Sequence, residues 1–276
     1  MNAVKVMVNG LPGSMAQTVA QQILQDERFK LLPYSLTGPE IQESRCTVET
    51  TALELIAPDK RESRIAQIKQ SEGPFLTADY THPSAVNANA DFYCNCGLPF
   101  VMGTTGGNRS LLEQTVRSSS IAAVIAPNMA KQIVGFQAMM EYAADNFPGL
   151  FQGYSLEITE SHQKGKADTS GTAKAVVRYF NKLGIPFAEE SIVQIRDPKI
   201  QQSRLGIPEK YLSGHGWHTY TLVSPDSTVR FEFTHNVNGR KIYAAGTLDA
   251  LLFLSDKITA GEKARAYSMI DVLRGV

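Results

Sequence analysis

The residues best suited to chemistry lie in one stretch, from Glu160 to Ala173, which holds a histidine, two lysines and a Ser-Gly-Thr motif. A histidine side chain has an unperturbed pKa near ~6.5, so His162 can exchange a proton at neutral pH. Lys166 supplies a positive charge or a second proton. Ser170-Gly-Thr172 opens a predicted helix, whose free backbone N–H groups and partial positive charge suit a carboxylate. The combination indicates a site for a small, multiply anionic substrate.

The segments on either side of this stretch predict how it is held. Residues 154–160 alternate with period two, which is typical of a half-buried strand. Apolar residues then recur at helical spacing as far as a stop signal at Gly184, with Ser170 or Thr169 as the N-cap. The alternative is that Asp168 and its two neighbours only cap this helix, while the lysines are solvated loop charges.

The composition favours an ordinary globular protein of two domains that acts on small molecules. The chain has 276 residues, of which 43% are hydrophobic and 20% charged. Its 27 basic and 27 acidic residues cancel, which argues against nucleic acid or a membrane surface as partner. No apolar run approaches the ~20 residues of a membrane span, and the first predicted strand begins by Val4. We therefore expect a cytoplasmic protein, or one of the plastid stroma if a transit peptide has been removed.

The first half of the chain alternates strand and helix, which predicts a parallel sheet covered on both faces. Val4 to Asn9, a Gly10-Leu-Pro-Gly13 turn and a helix follow in the order that a dinucleotide site requires. The glycine spacing departs from G-x-G-x-x-G, so a simple tight turn is the alternative. Ligands gather at the carboxyl ends of such strands. The cofactor-binding residues predicted there are Gly10, Gly13, Ser14, Met15, Ser35, Thr37, Tyr80, Thr81, Gly103, Thr104, Thr105, Pro127 and Asn128.

The second predicted strand, Phe29 to Tyr34, bears on the choice of cofactor. An acidic residue at this strand end usually binds the ribose 2′-hydroxyl of NAD, and its absence leaves room for a 2′-phosphate. Here the strand ends in hydroxyl side chains without a carboxylate. The sequence therefore favours NADPH, with NADH as the alternative. The side chains expected near the phosphate are Ser35, Thr37 and either Lys30 or Arg45.

After a long helix from Lys131 to Phe147 the pattern changes to successive strands at 191–196, 217–223 and 229–235, with an irregular loop at 197–213. This order predicts a second, α+β domain with a mostly antiparallel sheet over residues 130–240. Helices at 244–257 and 262–273 are expected to return to the first domain, made of residues 1–129 and 241–276.

The remaining histidines do not suggest a metal site. His215 and His218 are three apart on a predicted strand, so their side chains should lie on opposite faces. His235 and Arg240 are expected to reach the loop around His162, and His82 either lines the cofactor cleft or caps a turn. The three cysteines lack metal-site spacing and fit a reducing compartment. We predict that the protein binds no metal.

Eight motifs, spread over nearly the whole chain, resemble 4-hydroxy-tetrahydrodipicolinate reductase of the diaminopimelate route to lysine, in its plant-type branch. They are Val8-Asn-Gly10, Asp79-Tyr-Thr81, Pro99-Phe-Val-Met-Gly-Thr-Thr-Gly-Gly107, Glu160-Ser-His-Gln163, Ser170-Gly-Thr-Ala-Lys-Ala175, Arg196-Asp-Pro-Lys199, Ser213-Gly-His215 and Phe231-Glu-Phe-Thr-His-Asn236. The His-to-Lys loop leading into Ser-Gly-Thr is the specific part of the match.

The resemblance implies a Rossmann-like nucleotide domain and an α+β domain that binds substrate and mediates homo-oligomerisation, as a dimer or tetramer. It implies that a nicotinamide hydride goes to the ring carbon that loses the 4-hydroxyl as water, giving tetrahydrodipicolinate. His162 matches the family's acid/base histidine and Lys166 its catalytic lysine. The two substrate carboxylates would be held by Thr105, Ser170, Gly171 and Thr172.

One departure concerns the residue after His162. Many bacterial members carry a second histidine there, whereas this chain has Gln163, as plant-type members do. A glutamine side chain can hydrogen-bond a substrate carboxylate but cannot carry a proton, which argues against a two-histidine mechanism. Two other functions fit the same architecture: an oxidoreductase for another small amino or imino acid, and a non-catalytic nucleotide-binding sensor.

Overall fold

The structure, a computed structural model, describes residues 3–166 and 169–276, so the predicted cap at Asp168 lies outside the described residues. The chain forms two compact units, one of residues 1–131 with 241–276 and the other of residues 132–240. In the described residues no helix is long and apolar enough to span a bilayer.

The described residues contain thirteen strands and nine α-helices. The strands are β1 (Val4–Asn9), β2 (Phe29–Leu31), β3 (Tyr34–Leu36), β4 (Arg45–Val48), β5 (Thr51–Ile56), β6 (Leu76–Asp79), β7 (Phe100–Met102), β8 (Ala122–Ile125), β9 (Ser155–His162), β10 (Val193–Ile195), β11 (His215–Val223), β12 (Arg230–Asn238) and β13 (Arg265–Tyr267). The helices are α1 (Ser14–Leu24), α2 (Arg61–Glu72), α3 (Val86–Asn95), α4 (Arg109–Arg117), α5 (Lys131–Asn146), α6 (Gly171–Lys182), α7 (Pro198–Ser203), α8 (Lys241–Thr259) and α9 (Met269–Arg274).

The first unit is built on a six-stranded parallel sheet in the order β13-β8-β7-β6-β1-β2. Its strands are short, and the central strands β7 and β8 are wholly apolar, as expected of strands buried on both faces. Tyr93 of α3 packs on Phe100 of β7 with ring centroids 5.3 Å apart, in a core that also includes side chains of α2 and α4. The parallel order brings the carboxyl ends of β1, β6, β7 and β8 to one edge, where the predicted cofactor residues lie.

Two predictions about the first unit are wrong in detail. The predicted strand Phe29 to Tyr34 is split at Leu32 and Pro33, and its second part, β3, joins β5 and β4 in a separate three-stranded sheet. A proline has no N–H to continue a strand ladder, which accounts for the break. The predicted helix at 262–273 is instead strand β13, followed by α9, because a Ser268–Asp271 capping box starts a new helix there.

The second unit contains a four-stranded sheet in the order β10-β9-β11-β12, packed against α6 over a core that includes Ile158, Phe180 and Tyr220. β9 pairs with β11 and β11 with β12 antiparallel, and only β10 runs parallel to β9. The predicted fold class, a parallel-sheet domain followed by a mostly antiparallel one, is confirmed. The predicted irregular loop at 197–213 contains the short helix α7.

Candidate active site

The first group of predicted site residues surrounds the turn between β1 and α1. Gly10 has φ +103°, and a Cβ added there would collide with the carbonyl oxygen of Tyr80, so both the backbone angle and the space require glycine. Gly13 is the N-cap of α1, and no side chain caps that helix end. The N-terminus of α1 is therefore suited to a phosphate group.

Two adjoining clefts lie at this edge of the sheet in the first unit. The larger, of about 810 Å³, is lined by Gly10, Gly13, Thr37, Tyr80 and Thr81 among the predicted residues. The smaller, of about 260 Å³, is lined by Met15, Tyr80, Thr81, Gly103, Thr104, Thr105 and Pro127 among them. Because Tyr80 and Thr81 line both, the two clefts meet, as the two halves of a dinucleotide site would. Ser14, Ser35 and Asn128 lie outside both linings.

A buried carboxylate, not among the predicted site residues, binds side chains at the place where the two clefts meet. Asp79, fully buried at the end of β6, accepts hydrogen bonds from the hydroxyls of Thr81 (2.8 Å), Thr104 (2.6 Å) and Tyr93 (2.6 Å). Burial and the nearby Asp79 charge raise the pKa of the Tyr93 hydroxyl well above its ordinary value, so Tyr93 stays protonated and donates. The signal in the sequence was an acidic residue ending an apolar strand.

The side chains predicted for a 2′-phosphate are engaged elsewhere. The Ser35 hydroxyl is buried and accepts from Leu11 N–H (3.2 Å), and the Thr37 hydroxyl donates to the Leu11 carbonyl (2.9 Å), so both shape the glycine turn. Lys30 lies 3.6 Å from Glu72, and Arg45 is exposed on β4.

The larger cleft is lined by a cationic side chain other than Lys30 and Arg45. Of the described residues that line it, Arg61 is the one arginine or lysine, and its guanidinium lies 4.4 Å from the centroid of the Phe92 ring. Glu40 brings a carboxylate to the same cleft, and His82 both lines it and caps a turn by accepting from Ser84 N–H. Sequence reasoning did not identify Arg61 or Glu40, because neither lies within a recognised motif.

The second group of predicted site residues surrounds the end of β9 in the second unit. Glu160 is fully buried, and its carboxylate accepts from the Arg196 guanidinium (2.6 Å) and from the backbone N–H of Ser170 (3.0 Å). Arg196 also donates to the Lys166 carbonyl (3.1 Å). The ion pair between Glu160 and Arg196 thus binds both the backbone of Lys166 and Ser170, the N-cap residue of α6.

Three histidines lie side by side on the same face of the sheet. The ring centroids of His162 and His218 are 5.1 Å apart, and those of His218 and His235 are 4.6 Å apart. Burial and the neighbouring positive groups lower the pKa of His218 well below its ordinary value, and burial lowers the pKa of His235 to about 4. His218 and His235 are therefore neutral at pH 7. His215 lies on the opposite face, where it contacts Ser161 (2.9 Å), as the spacing predicted.

The same face contains a set of atoms that could be considered for a metal. One potential ligand atom from each of Glu160, His162 and His218 lies within 4.8 Å of the others. The two oxygens of Glu160 are already engaged by Arg196 and Ser170, and the guanidinium charge disfavours a second cation beside it. The absence of a metal in the working protein stays a prediction.

The other predicted substrate residues are distributed over both units. Gln163 and Lys166 are half-buried, Gly171 is exposed, and Thr172 is half-buried in the first turn of α6. Thr105 lines the smaller cleft of the first unit. His235 stacks on His218, and the Arg240 guanidinium lies beside Gly214. A contact of either residue with the loop around His162 stays a prediction.

Comparisons with known proteins agree with this architecture. Residues 4–129 match the family model "Dihydrodipicolinate reductase, N-terminus" and residues 133–273 the model "Dihydrodipicolinate reductase, C-terminus". The chain is 48% identical to a probable 4-hydroxy-tetrahydrodipicolinate reductase 1, chloroplastic, of Oryza sativa subsp. japonica, over 98% of this chain and 78% of the relative. It is also 48% identical to 4-hydroxy-tetrahydrodipicolinate reductase 2, chloroplastic, of Arabidopsis thaliana, over 99% and 78%.

A solved structure shares the fold. The dipicolinate-bound dihydrodipicolinate reductase from Paenisporosarcina sp. TG-14 superposes with a TM-score of 0.65 at 19% identity, covering 96% of this chain and 97% of that one.

Proposed function

The chain belongs to the dihydrodipicolinate reductase family, and from this premise we propose the roles of its residues in reducing 4-hydroxy-tetrahydrodipicolinate to tetrahydrodipicolinate. The family acts in the diaminopimelate route to lysine, and the N-terminal domain is a nucleotide-binding Rossmann-like domain that takes NAD(P)H. The observation that carries the residue assignment is the buried Glu160 carboxylate, which sits 3.7 Å from His162 and binds the N–H that opens α6.

We assign the domains accordingly. Residues 1–129 with 241–276 bind the dinucleotide, with the pyrophosphate at the Gly10 turn and the nicotinamide near Gly103. Residues 130–240 bind substrate and mediate a homo-oligomer, a dimer or a tetramer. Light scattering of the purified protein measures the oligomer, and a monomer would reject that part of the proposal.

The chemistry requires a proton beside the reacting ring. A bound reduced nicotinamide would supply a hydride to the carbon that has lost the 4-hydroxyl as water, so that negative charge would build on the adjacent carbon and nitrogen of the conjugated system. His162 or Lys166 delivers the proton that balances this charge, and the ammonium of Lys166 stabilises the charge while it develops. Gln163 donates a hydrogen bond to the substrate and takes no part in proton transfer.

The two carboxylates of the substrate require donors rather than bases. Ser170 and Thr172 offer hydroxyls, Gly171 an N–H at the start of α6, and Thr105 a hydroxyl. Gly171 has open space where a side chain would stand, so its backbone is accessible. The dicarboxylate pyridine-2,6-dicarboxylate should compete with substrate. An enzyme for another small amino or imino acid would bind this ligand poorly.

NADPH is the preferred cofactor in this proposal, supported now by Arg61 in the larger cleft rather than by the hydroxyls at the end of β3. NADH is the second candidate, because the Glu40 carboxylate in the same cleft suits a free ribose 2′-hydroxyl.

The deciding experiment is steady-state kinetics with purified protein and freshly made 4-hydroxy-tetrahydrodipicolinate, measured with NADPH and with NADH. Substrate-dependent loss of the reduced-nicotinamide absorbance is expected, with the larger kcat/KM for NADPH. The absence of turnover with both cofactors would favour the nucleotide-binding sensor. The proposed compartment is the cytoplasm, or the plastid stroma for a chain that has lost a transit peptide; cell fractionation distinguishes them.

A further inference from the structure

His218 is a buried residue that the proposed mechanism does not use. It lies in the middle of β11, opposite Glu160 in β9 and opposite His235 in β12. Only 4% of its surface is exposed, and its Nε2 lies 3.1 Å from the Ser170 hydroxyl oxygen. His218 therefore touches the residue that opens the carboxylate-binding helix without belonging to that helix.

The surroundings of His218 determine which ring nitrogen carries its proton. Its Nε2 lies 3.8 Å from a carboxylate oxygen of Glu160, which attracts an N–H and repels a lone pair. Its Nδ1 is buried and has no hydrogen-bond partner among the described residues. A proton on Nδ1 would leave a buried N–H donor without an acceptor, which is unfavourable. The neutral ring is therefore protonated on Nε2.

This tautomer fixes how the Ser170 hydroxyl is used. With the proton on Nε2, His218 donates and the Ser170 oxygen accepts, so the single proton of the serine is left for another acceptor. In the other tautomer Ser170 would donate to His218, and its oxygen lone pairs would repel a carboxylate. The backbone N–H of Ser170 is meanwhile held by Glu160 (3.0 Å). Glu160 and His218 thus orient the N–H and the hydroxyl of Ser170.

We propose that His218 is a positioning residue for substrate binding: it donates from Nε2 to Ser170 and so directs the Ser170 hydroxyl proton to a substrate carboxylate. This inference rests on the proposed function, which assigns Ser170 to a substrate carboxylate. His218 touches no substrate, and its effect passes through Ser170.

The chain offers a matched control in His215. It lies on the same strand, is also 4% exposed, and likewise places Nε2 2.9 Å from a serine hydroxyl, that of Ser161. It lies on the opposite face of the sheet, away from Ser170. His215→Leu and His218→Leu each remove a buried contact between a histidine and a serine, and His215→Leu also removes the contact of Nδ1 with the Tyr211 carbonyl (3.0 Å). His215→Leu is therefore the more disruptive control, but only His218→Leu changes the hydroxyl assigned to substrate.

The first test measures the dissociation constant of pyridine-2,6-dicarboxylate by calorimetry and the KM of the substrate, in the full chain. His218→Leu should weaken dicarboxylate binding about tenfold or more, the usual scale of a hydrogen bond to a charged group, while the KM for reduced nicotinamide stays unchanged. His218→Gln, whose amide N–H stands near the Nε2 position, should restore binding to within about threefold. His215→Leu should leave both constants unchanged.

A double-mutant cycle tests whether the effect passes through Ser170. Adding His218→Leu to Ser170→Ala should weaken dicarboxylate binding no further than Ser170→Ala alone. Fully additive losses, or equal losses in His218→Leu and His215→Leu, would overturn the proposal.

The second test does not depend on any variant folding. Nitrogen-15 NMR of the wild-type protein at pH 7.5 distinguishes the protonated from the unprotonated ring nitrogen of His218. A protonated Nε2 is expected, and a protonated Nδ1 would overturn the inference. Wild-type protein that neither turns over substrate nor binds the dicarboxylate would reject the proposed function instead, and the NMR result would still decide the tautomer.

Discussion

Replacing Arg196 by methionine should destabilise the second unit, because it leaves the Glu160 carboxylate buried without its counter-charge. The two groups are 2.6 Å apart and Glu160 is fully buried. Removing one partner of a buried ion pair costs about 3–5 kcal/mol. The Ser170 N–H still contacts Glu160, so we expect the lower end, about 3 kcal/mol.

A surface pair of the same geometry provides the control. Arg230 and Glu232 are 2.7 Å apart, but their side chains are 61% and 47% exposed. Such exposed pairs contribute about 0–1 kcal/mol, since water solvates either partner when the other is removed. Arg230→Met should therefore change the free energy of unfolding by less than about 1 kcal/mol.

Urea unfolding followed by tryptophan fluorescence measures this difference. The chain has one tryptophan, Trp217, which lies in β11 and reports on the second unit. With a urea slope of about 2 kcal/mol/M, a loss of about 3 kcal/mol lowers the unfolding midpoint by about 1.5 M. Arg196→Met with Glu160→Gln should recover part of this loss, because the buried charge is gone. Equal midpoints for Arg196→Met and Arg230→Met would refute the reasoning.

Three further predictions follow from the sites. Gly10→Ala should weaken dinucleotide binding at least tenfold in a calorimetric titration because its Cβ meets a backbone carbonyl. Gly97→Ala, also at positive φ but with its Cβ only in ordinary contact with the Lys69 side chain (3.7 Å), should not. Burial lowers the pKa of His235 in the folded state to about 4, whereas in the unfolded state it is ~6.5. As the pH falls from ~6.5 to ~4, the unfolded state therefore binds a proton that the folded state does not, and the free energy of unfolding decreases. In His235→Gln the free energy of unfolding should decrease less steeply over this range, by up to ~1.4 kcal/mol per pH unit. Denaturant titrations across pH 4–7 measure this, and parallel profiles of the wild type and the variant would contradict the prediction. His162→Ala and Lys166→Ala should each lower kcat about 10²-fold or more in the NADPH assay, and near wild-type turnover in both would show that other groups carry the proton.

The parallel-sheet unit was largely predictable, because its signals are local. Apolar strand runs, helical periodicity and the turn at Gly10 each depend on a few neighbouring residues. Even so, β4 and β5 were not predicted, and the predicted helix at 262–273 is helical only from Met269, since Arg265–Tyr267 form strand β13. β13 gains its ladder from β8, a strand far away in the sequence, so no local pattern reveals it. β4 and β5 pair with each other in a hairpin, with Val48 opposite Thr51, and β5 also pairs with β3.

The cofactor prediction shows the same limit. The sequence suggested that the hydroxyls of Ser35 and Thr37 contact a phosphate, but Ser35 lies within β3 and both hydroxyls bond to the backbone of Leu11. Their role in phosphate binding stays a prediction. Arg61 reaches the larger cleft from the start of α2, after an intervening sheet that the sequence did not reveal. Whether a hydroxyl or a cation can bind a ligand depends on the hydrogen bonds and ion pairs that it already makes within the folded protein.

By itself the sequence determined most of the order of the elements, the two-part architecture and the stretch that contains His162, Lys166 and Ser170, because backbone sterics and side-chain chemistry act over short distances. Only the tertiary structure decided that Glu160 would be a buried carboxylate held by Arg196, 36 residues away, and that His218 would support Ser170 from 48 residues away. The pairing of strands brings these residues, distant in the sequence, into contact. Burial then makes them matter, since a charge or donor removed from water must find its partner inside the protein.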